Sequence, residues 1–385
     1  MPRVAVKPEL LQWARERAHM DVDGLLKRFS KLPEWESGEA QPTFKQLEDF
    51  AKATRVPFGY LFLPEPPPEP LPIPDFRTLK NRGVGAISPN LRDSIYAMQR
   101  RQAWLRDERA DNGAAPLDFV GSAELSDEPA AVGREMRRIT GLSNGWAATV
   151  ATWQEAVGRL RASIETLGVM AVINGVVGND THRKLDVDEF RGFALSDALA
   201  PLVFVNGADA KSAQMFTLAH ELAHVWLGQQ GEGLSGFDGL LPDGGAVETF
   251  CDRAAAEFLV PAAEMKAAWP EVKREASPFE VLARRFKVSP IVIGRRAMDL
   301  RLVERQVFFD FYNTYTKQER KARQAATGGG DFYRNQNSRV GQLFATEVVR
   351  AAKEGRIGFK QAYDLTGLNG GAFQEYSRRL GMALP

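Results

Sequence analysis

His220, Glu221 and His224 stand in the run QMFTLAHELAHVWLG, two imidazoles four residues apart with a carboxylate directly after the first. On a helix, positions i and i+4 share a face. Both rings can then reach one Zn2+ at about 2.0–2.1 Å, and Glu221 can contact a water held by the ion. Zinc lowers the pKa of that water toward about 7, and a carboxylate taking its proton directs it at a carbonyl. The chain has only four histidines, so this spacing stands well clear of composition. The competing reading is an amphipathic helix with two solvated histidines. Phe216, Leu218, Ala219, Leu222, Ala223, Val225, Trp226 and Leu227 argue against it, because they make the segment apolar nearly all round. Such a helix is buried, and a metal satisfies buried imidazoles that are otherwise costly.

A catalytic zinc site takes three protein ligands and keeps one open position. No third histidine lies close downstream, so a carboxylate must serve. The best candidate is Glu248 in AVETFCDRAAAEFLVP, on a downstream helix. Asp252, one turn later on the same face, suits a hydrogen-bond acceptor for a ligand histidine. Glu257 is the second choice, and Glu232, Asp238 and Asp243 in the glycine-rich stretch 228–245 are weaker. A solvated acidic face is the alternative for Glu248 and Asp252. Imidazole-carboxylate sites accept several divalent ions, so Mn2+ stands beside Zn2+. Cys251, the single cysteine, reads as a small buried hydrophobe rather than a nucleophile.

These groups need elements to hold them. The 385 residues fit two to four domains, and 44% apolar with 26% charged residues is the composition of a folded chain. No apolar run reaches the ~18 residues of a membrane span, and the N-terminus lacks a signal pattern. One cysteine excludes an intrachain disulfide, which makes a reducing cytoplasm the default compartment. VMAVI (169–173), EFRGFAL (189–195) and PLVFV (201–205) read as strands. Asp209 could cap a helix running to Leu227, with Gly228 as its stop. A further helix is expected from about Ala246 to Val260, ended by Pro261. The fold class is therefore α+β, mostly helical, with a small sheet flanked by helical domains. Boundaries fall at 1–63, a helical unit; 64–74, a proline-rich linker; 75–145, a helical connector; and 146–270, the domain with the HExxH. A helix-turn-helix-like segment follows at 271–303 and a basic helical domain at 304–385. Gly328–Gly330 reads as a hinge, since no strand precedes it and no phosphate-loop lysine follows.

Residues 146–300 resemble the ImmA/IrrE family of bacterial metallo-endopeptidases. The resemblance is carried by GVVGNDTHRKLDVDEFRGFALSD, APLVFVNGAD, AQMFTLAHELAHVWLG and ETFCDRAAAEFLVP. It implies a zincin-like domain and cytoplasmic, site-selective cleavage of a partner, usually a DNA-bound repressor of a stress response or mobile element. It also implies that His220, His224 and Glu248 are metal ligands and Glu221 the general base. Asp180 and His182 lie in the resembling stretch without an assigned role. In zincin-like sites an edge strand runs near the metal and can pair with substrate, and Pro201–Val205 is the expected edge.

The ends of the chain pose a separate question. LLQWARERA and EWESGEAQPTFKQLEDFAKATRVP resemble a repressor-type (XRE-like) helix-turn-helix. Only five residues, SKLPE, separate LLKRF from Trp35, where about nine would form a recognition helix. Residues 1–60 carry ten basic and nine acidic side chains, little for a groove reader. FEVLARRFKVSPIVIGRRAMDLRL (279–302) also reads as helix-turn-helix, with Arg295 and Arg296 on its second helix. Residues 301–385 carry fourteen basic and eight acidic side chains, so 279–302 with the basic tail is the better DNA candidate. The expected function is a zinc endopeptidase that cleaves a repressor- or antitoxin-like regulator. The alternative is a non-catalytic DNA-binding regulator that keeps the peptidase fold as a scaffold.

Overall fold

The computed structural model describes residues 2–18, 22–68, 87–228, 245–323 and 332–382. Most of the proline-rich linker, the glycine-rich stretch with Glu232, Asp238 and Asp243, and Gly328–Gly330 lie outside the described residues. The chain divides into two compact units, 1–72 with 80–96, and 73–79 with 97–385.

The first unit holds α1 (Pro8–Arg17), α2 (Val22–Leu26), α3 (Leu32–Glu36) and α4 (Phe44–Thr54), closed by a 3-10 turn at Phe58–Phe62. Thr43 and Gln46 form the capping box of α4: Thr43 Oγ1 accepts from Gln46 N, and Gln46 Oε1 accepts from Thr43 N. Phe29, Trp35 and Phe50 pack ring against ring in the core. α3 has only five residues, includes Pro33, and spends Leu32 and Trp35 on that core.

The second unit begins with the part of α5 (Pro89–Asp111) from Ala97 onward. It continues through α6 (Pro129–Ile139), α7 (Trp153–Thr166), β1 (Met170–Asn174), β2 (Val176–Val177), β3 (Asp180–Lys184), β4 (Gly192–Leu195) and β5 (Leu202–Asn206). The helices α8 (Lys211–Leu227), α9 (Ala246–Leu259), α10 (Ala262–Val272), α11 (Pro278–Phe286), α12 (Pro290–Asp299) and α13 (Arg305–Arg323) follow. α14 (Phe332–Val340), α15 (Gln342–Lys353), α16 (Phe359–Thr366) and α17 (Gly370–Arg379) complete it. The fold is α+β and mostly helical, and no described helix is long and apolar enough to cross a membrane.

The sheet order is β1-β5-β4, with β1 parallel and β4 antiparallel to β5. This corrects the expected edge. Leu202–Asn206 lies in the middle of the sheet and all five residues are buried. A continuous apolar run such as LVFV suits a strand covered on both faces, which is a central position. β4 is the edge strand on that side, and its four residues are also buried. A second, two-stranded sheet pairs β2 with β3. Neither strand shows a period in the sequence, because β2 has two residues and β3 is polar and mostly exposed.

Met215, Leu218 and Leu222 of α8, Cys251, Ala254 and Phe258 of α9, and Leu282, Val292 and Ile293 of α11 and α12 belong to one buried cluster. The α11–α12 pair is thus packed into the core that carries the HExxH helix. Arg296 is buried, with its guanidinium committed to the Glu257 carboxylate and, from Nε, to the Val260 carbonyl at 3.0 Å. That corrects its reading as a DNA contact, because a buried guanidinium paired with a carboxylate is not presented to a groove. Arg295 pairs with Asp299 one turn along the same helix. Asp209 also departs from expectation. It does not cap α8, whose N-cap is Ala210, and instead pairs with Arg191 at 2.7 Å.

Replacing Arg296 by alanine strands a buried carboxylate and should cost about 3–5 kcal/mol. Arg295→Ala loses only a partly exposed i,i+4 pair and should cost about 0.5 kcal/mol or less. Urea unfolding midpoints of the two variants would show the contrast.

Candidate metal centre

α8 is buried on nearly every face, which is what its sequence demands. Trp226 stacks on Phe119 with ring centroids 4.5 Å apart, and His220 and His224 are 1% and 2% exposed. The two rings sit one helical turn apart with their Nε2 atoms 3.1 Å from each other. α9 lies against α8 and brings two carboxylates to the pair. Glu248 Oε2 is 3.1 Å from His220 Nε2, and Glu248 Oε1 is 3.4 Å from His224 Nε2. On the far side of the first ring, His220 Nδ1 is 2.9 Å from Asp252 Oδ1. His220, His224 and Glu248 thus present three ligand atoms within 4.8 Å of one another.

The donor set fits a divalent cation. Two imidazole nitrogens and a carboxylate oxygen are what zinc takes at three of four positions. Asp252 accepts the Nδ1 proton of His220, which fixes the tautomer that leaves Nε2 as the ligand atom. His224 Nδ1 has no hydrogen-bond partner among the described residues. The site is reached from the α9 side, where the Glu248 and Asp252 side chains keep 25% and 26% of their surface exposed.

The electrostatics match. Burial alone would depress His220, but its hydrogen bonds to Asp252 and Glu248 outweigh this and raise it well above the usual imidazole value. Burial would raise Glu248, yet hydrogen bonds from His220 and His224 hold it well below the usual carboxylate range. Cys251 is fully buried, and burial, with Glu248, Glu221 and Asp252 nearby, pushes its thiol far up. It is the packed hydrophobe expected, not a thiolate.

Glu221 is 0% exposed and lies on the side of α8 that meets β4. A Cβ at Gly192 would stand 2.6 Å from Thr217 Cγ2, 2.8 Å from Phe204 O and 3.0 Å from Glu221 Oε1. The absent side chain is what lets the strand approach this carboxylate. Sequence reasoning overlooked Gly192 and Thr217, although a glycine inside an apolar strand is a signal of close approach. Glu257, the second-choice ligand, is away from the pair and bound to Arg296, with Arg134 at 3.9 Å and the Ala262 amide at 3.3 Å. His182 is exposed on β3, where its amide donates to Asp180 Oδ1, and neither residue joins the cluster.

Residues 165–298 match the Peptidase_M78 family model, the IrrE N-terminal-like domain. The match runs from the end of α7 to α12 and contains every residue of the centre. A Peptidase_M78 domain is of metallopeptidase type, which agrees with a His-His-Glu cluster able to hold a metal ion. Residues 340–379 match a second model, a domain of unknown function (DUF8813). No curated protein matches the chain.

Two outcomes are expected. Gly192→Ala should cost about 1–3 kcal/mol in urea unfolding, because Phe204 O is backbone and cannot give way. Metal affinity should rise with pH. In the metal-free protein His220 is raised, so its proton stabilises the fold fully below about 6.5 and the benefit fades as pH climbs through the raised value. A metal must expel that proton. Calorimetric titration with zinc should therefore show close to one proton released near neutrality and affinity rising about tenfold per pH unit there. A flat profile would contradict the assigned protonation.

Proposed function

We propose that this chain is a metal-dependent endopeptidase, with His220, His224 and Glu248 as ligands to Zn2+ (or Mn2+) and Glu221 as general base. The observation that carries this is the meeting of two imidazoles from the buried α8 and one carboxylate from the partly buried α9, with Asp252 behind the first ring. The ion, when bound, supplies Lewis acidity and lowers the pKa of water toward about 7. The residues do the rest. Asp252 holds the His220 ring in its ligating tautomer. Glu221, next to a ligand and withdrawn from solvent, holds the proton taken from the attacking water and passes it to the leaving amine. The partly exposed flank of Glu248 and Asp252 is where a polypeptide would enter.

The substrate class follows from the resemblance of residues 146–300. It is a cytoplasmic repressor- or antitoxin-like protein, whose cleavage would switch on a stress-response or mobile-element programme. The helical N-terminal unit would serve to locate that partner. DNA contact through 279–302 is no part of this proposal, since Arg296 and most of α12 are buried.

Glu221→Gln should keep one metal per chain and abolish cleavage when co-expressed with the product of the neighbouring gene, read as a missing fragment by mass spectrometry. Glu248→Ala should lower bound metal at least about tenfold by elemental analysis. Cleavage by Glu221→Gln at the wild-type rate would remove the base, and unchanged metal in Glu248→Ala would remove the third ligand.

A further inference from the structure

The helices that carry the match to a domain of unknown function share one compact unit with the sheet. Three polar side chains join the two parts. Arg101, on α5, is 8% exposed, and a buried cation must find acceptors. Its Nε donates to Leu365 O at 2.9 Å and its Nη1 to Arg339 O at 3.0 Å. Those carbonyls lie in the last turns of α16 and α14, where helices leave carbonyls unpaired and their dipoles favour positive charge. The same guanidinium sits 5.6 Å from the Phe344 ring of α15, so one side chain grips three helices.

Glu165, in the last turn of α7, is the counterpart. It is buried, pairs with Arg161 at 2.7 Å, and accepts from Leu343 N at 3.4 Å in the first turn of α15. A helix N-terminus favours negative charge. Asn179, in the turn between β2 and β3, is the third. It donates to Gly367 O at 2.9 Å and accepts from Gln336 Nε2 and Arg339 Nη1 at 3.1 and 3.3 Å.

The same helices lie at the free side of β1. Met170 N donates to Pro201 O and Asn174 O accepts from Gly207 N, so both face β5. By strand alternation Ala171 and Ile173 turn their amide groups the other way, where no described strand pairs with them. Gly341, the residue between α14 and α15 with φ 85°, occupies that side. A Cβ there would be 3.2 Å from Glu165 Oε1 and 3.8 Å from Ala171 O.

We propose that α14–α17 are a clamp integral to the peptidase domain, sealing the β1 edge and pinning the β2–β3 hairpin through Arg101, Glu165 and Asn179. An unpaired edge invites pairing with other chains, and covering it removes that hazard. The clamp also steadies the parallel β1–β5 pair, from which the chain passes directly into α8. Residues 340–379 then act within the domain rather than as a detachable module.

The test is native-state hydrogen exchange of the full chain in rising urea. In the wild type, the amides of Ala171 and Ile173 should open together with those of α15, on one isotherm. Arg101→Met and Glu165→Ala should each speed exchange of both sets about tenfold or more, and leave the core of α1–α4 unchanged. If α15 exchanges faster while Ala171 and Ile173 keep wild-type protection, the clamp is wrong. Should both variants fail to fold, the wild-type isotherms decide, because a detachable module would open at lower urea than β1. Metal content plays no part in this readout, so its result and that of the peptidase assignment are independent.

Discussion

The second unit is organised around two imidazole rings buried in an apolar helix with their Nε2 atoms 3.1 Å apart. That arrangement cannot stand alone. Each ring carries polar nitrogens into the interior of the unit, and an unsatisfied buried polar group costs free energy of several kcal/mol at worst. α9 answers the demand with two carboxylates one turn apart, and the centre is therefore a property of the α8–α9 contact rather than of either helix. His220, His224 and Glu248 would hold a divalent cation there, whose charge both imidazole nitrogens would then share.

The rest of the unit keeps that contact in place. β5, central and buried, leads through Asn206 and Asp209 into α8, and the Arg191–Asp209 pair ties that entry to the start of β4. Gly192 lets β4 close on Thr217 and Glu221. At the other end of α9, Glu257 is held by Arg296, so the helix is fixed beyond the carboxylates that face the rings. Charge satisfaction recurs at each level: Glu257 by Arg296, His220 by Asp252, and helix ends by Arg101 and Glu165.

Much of this was legible in the sequence because it is local or periodic. The i,i+4 spacing of His220 and His224, the repeat that places Glu248 and Asp252 on one face, and the apolar runs of three strands each report a short stretch of chain. What the sequence withheld depends on pairing across distance. PLVFV reads as a strand, but its central place is set by β1 and β4 from elsewhere in the chain. Arg296 looks like a surface cation until Glu257, on another helix, is brought to it. The β2–β3 hairpin has too few residues and too little alternation to announce itself. Gly192 could have been noticed, but its meaning required knowing that Thr217 and Glu221 lie opposite.

The most direct measurement is anomalous scattering at the zinc absorption edge from crystals of the zinc-loaded full-length protein. The account predicts one strong peak about 2 Å from His220 Nε2, His224 Nε2 and a Glu248 carboxylate oxygen. A peak elsewhere, or none between these three side chains at full zinc loading, would contradict it.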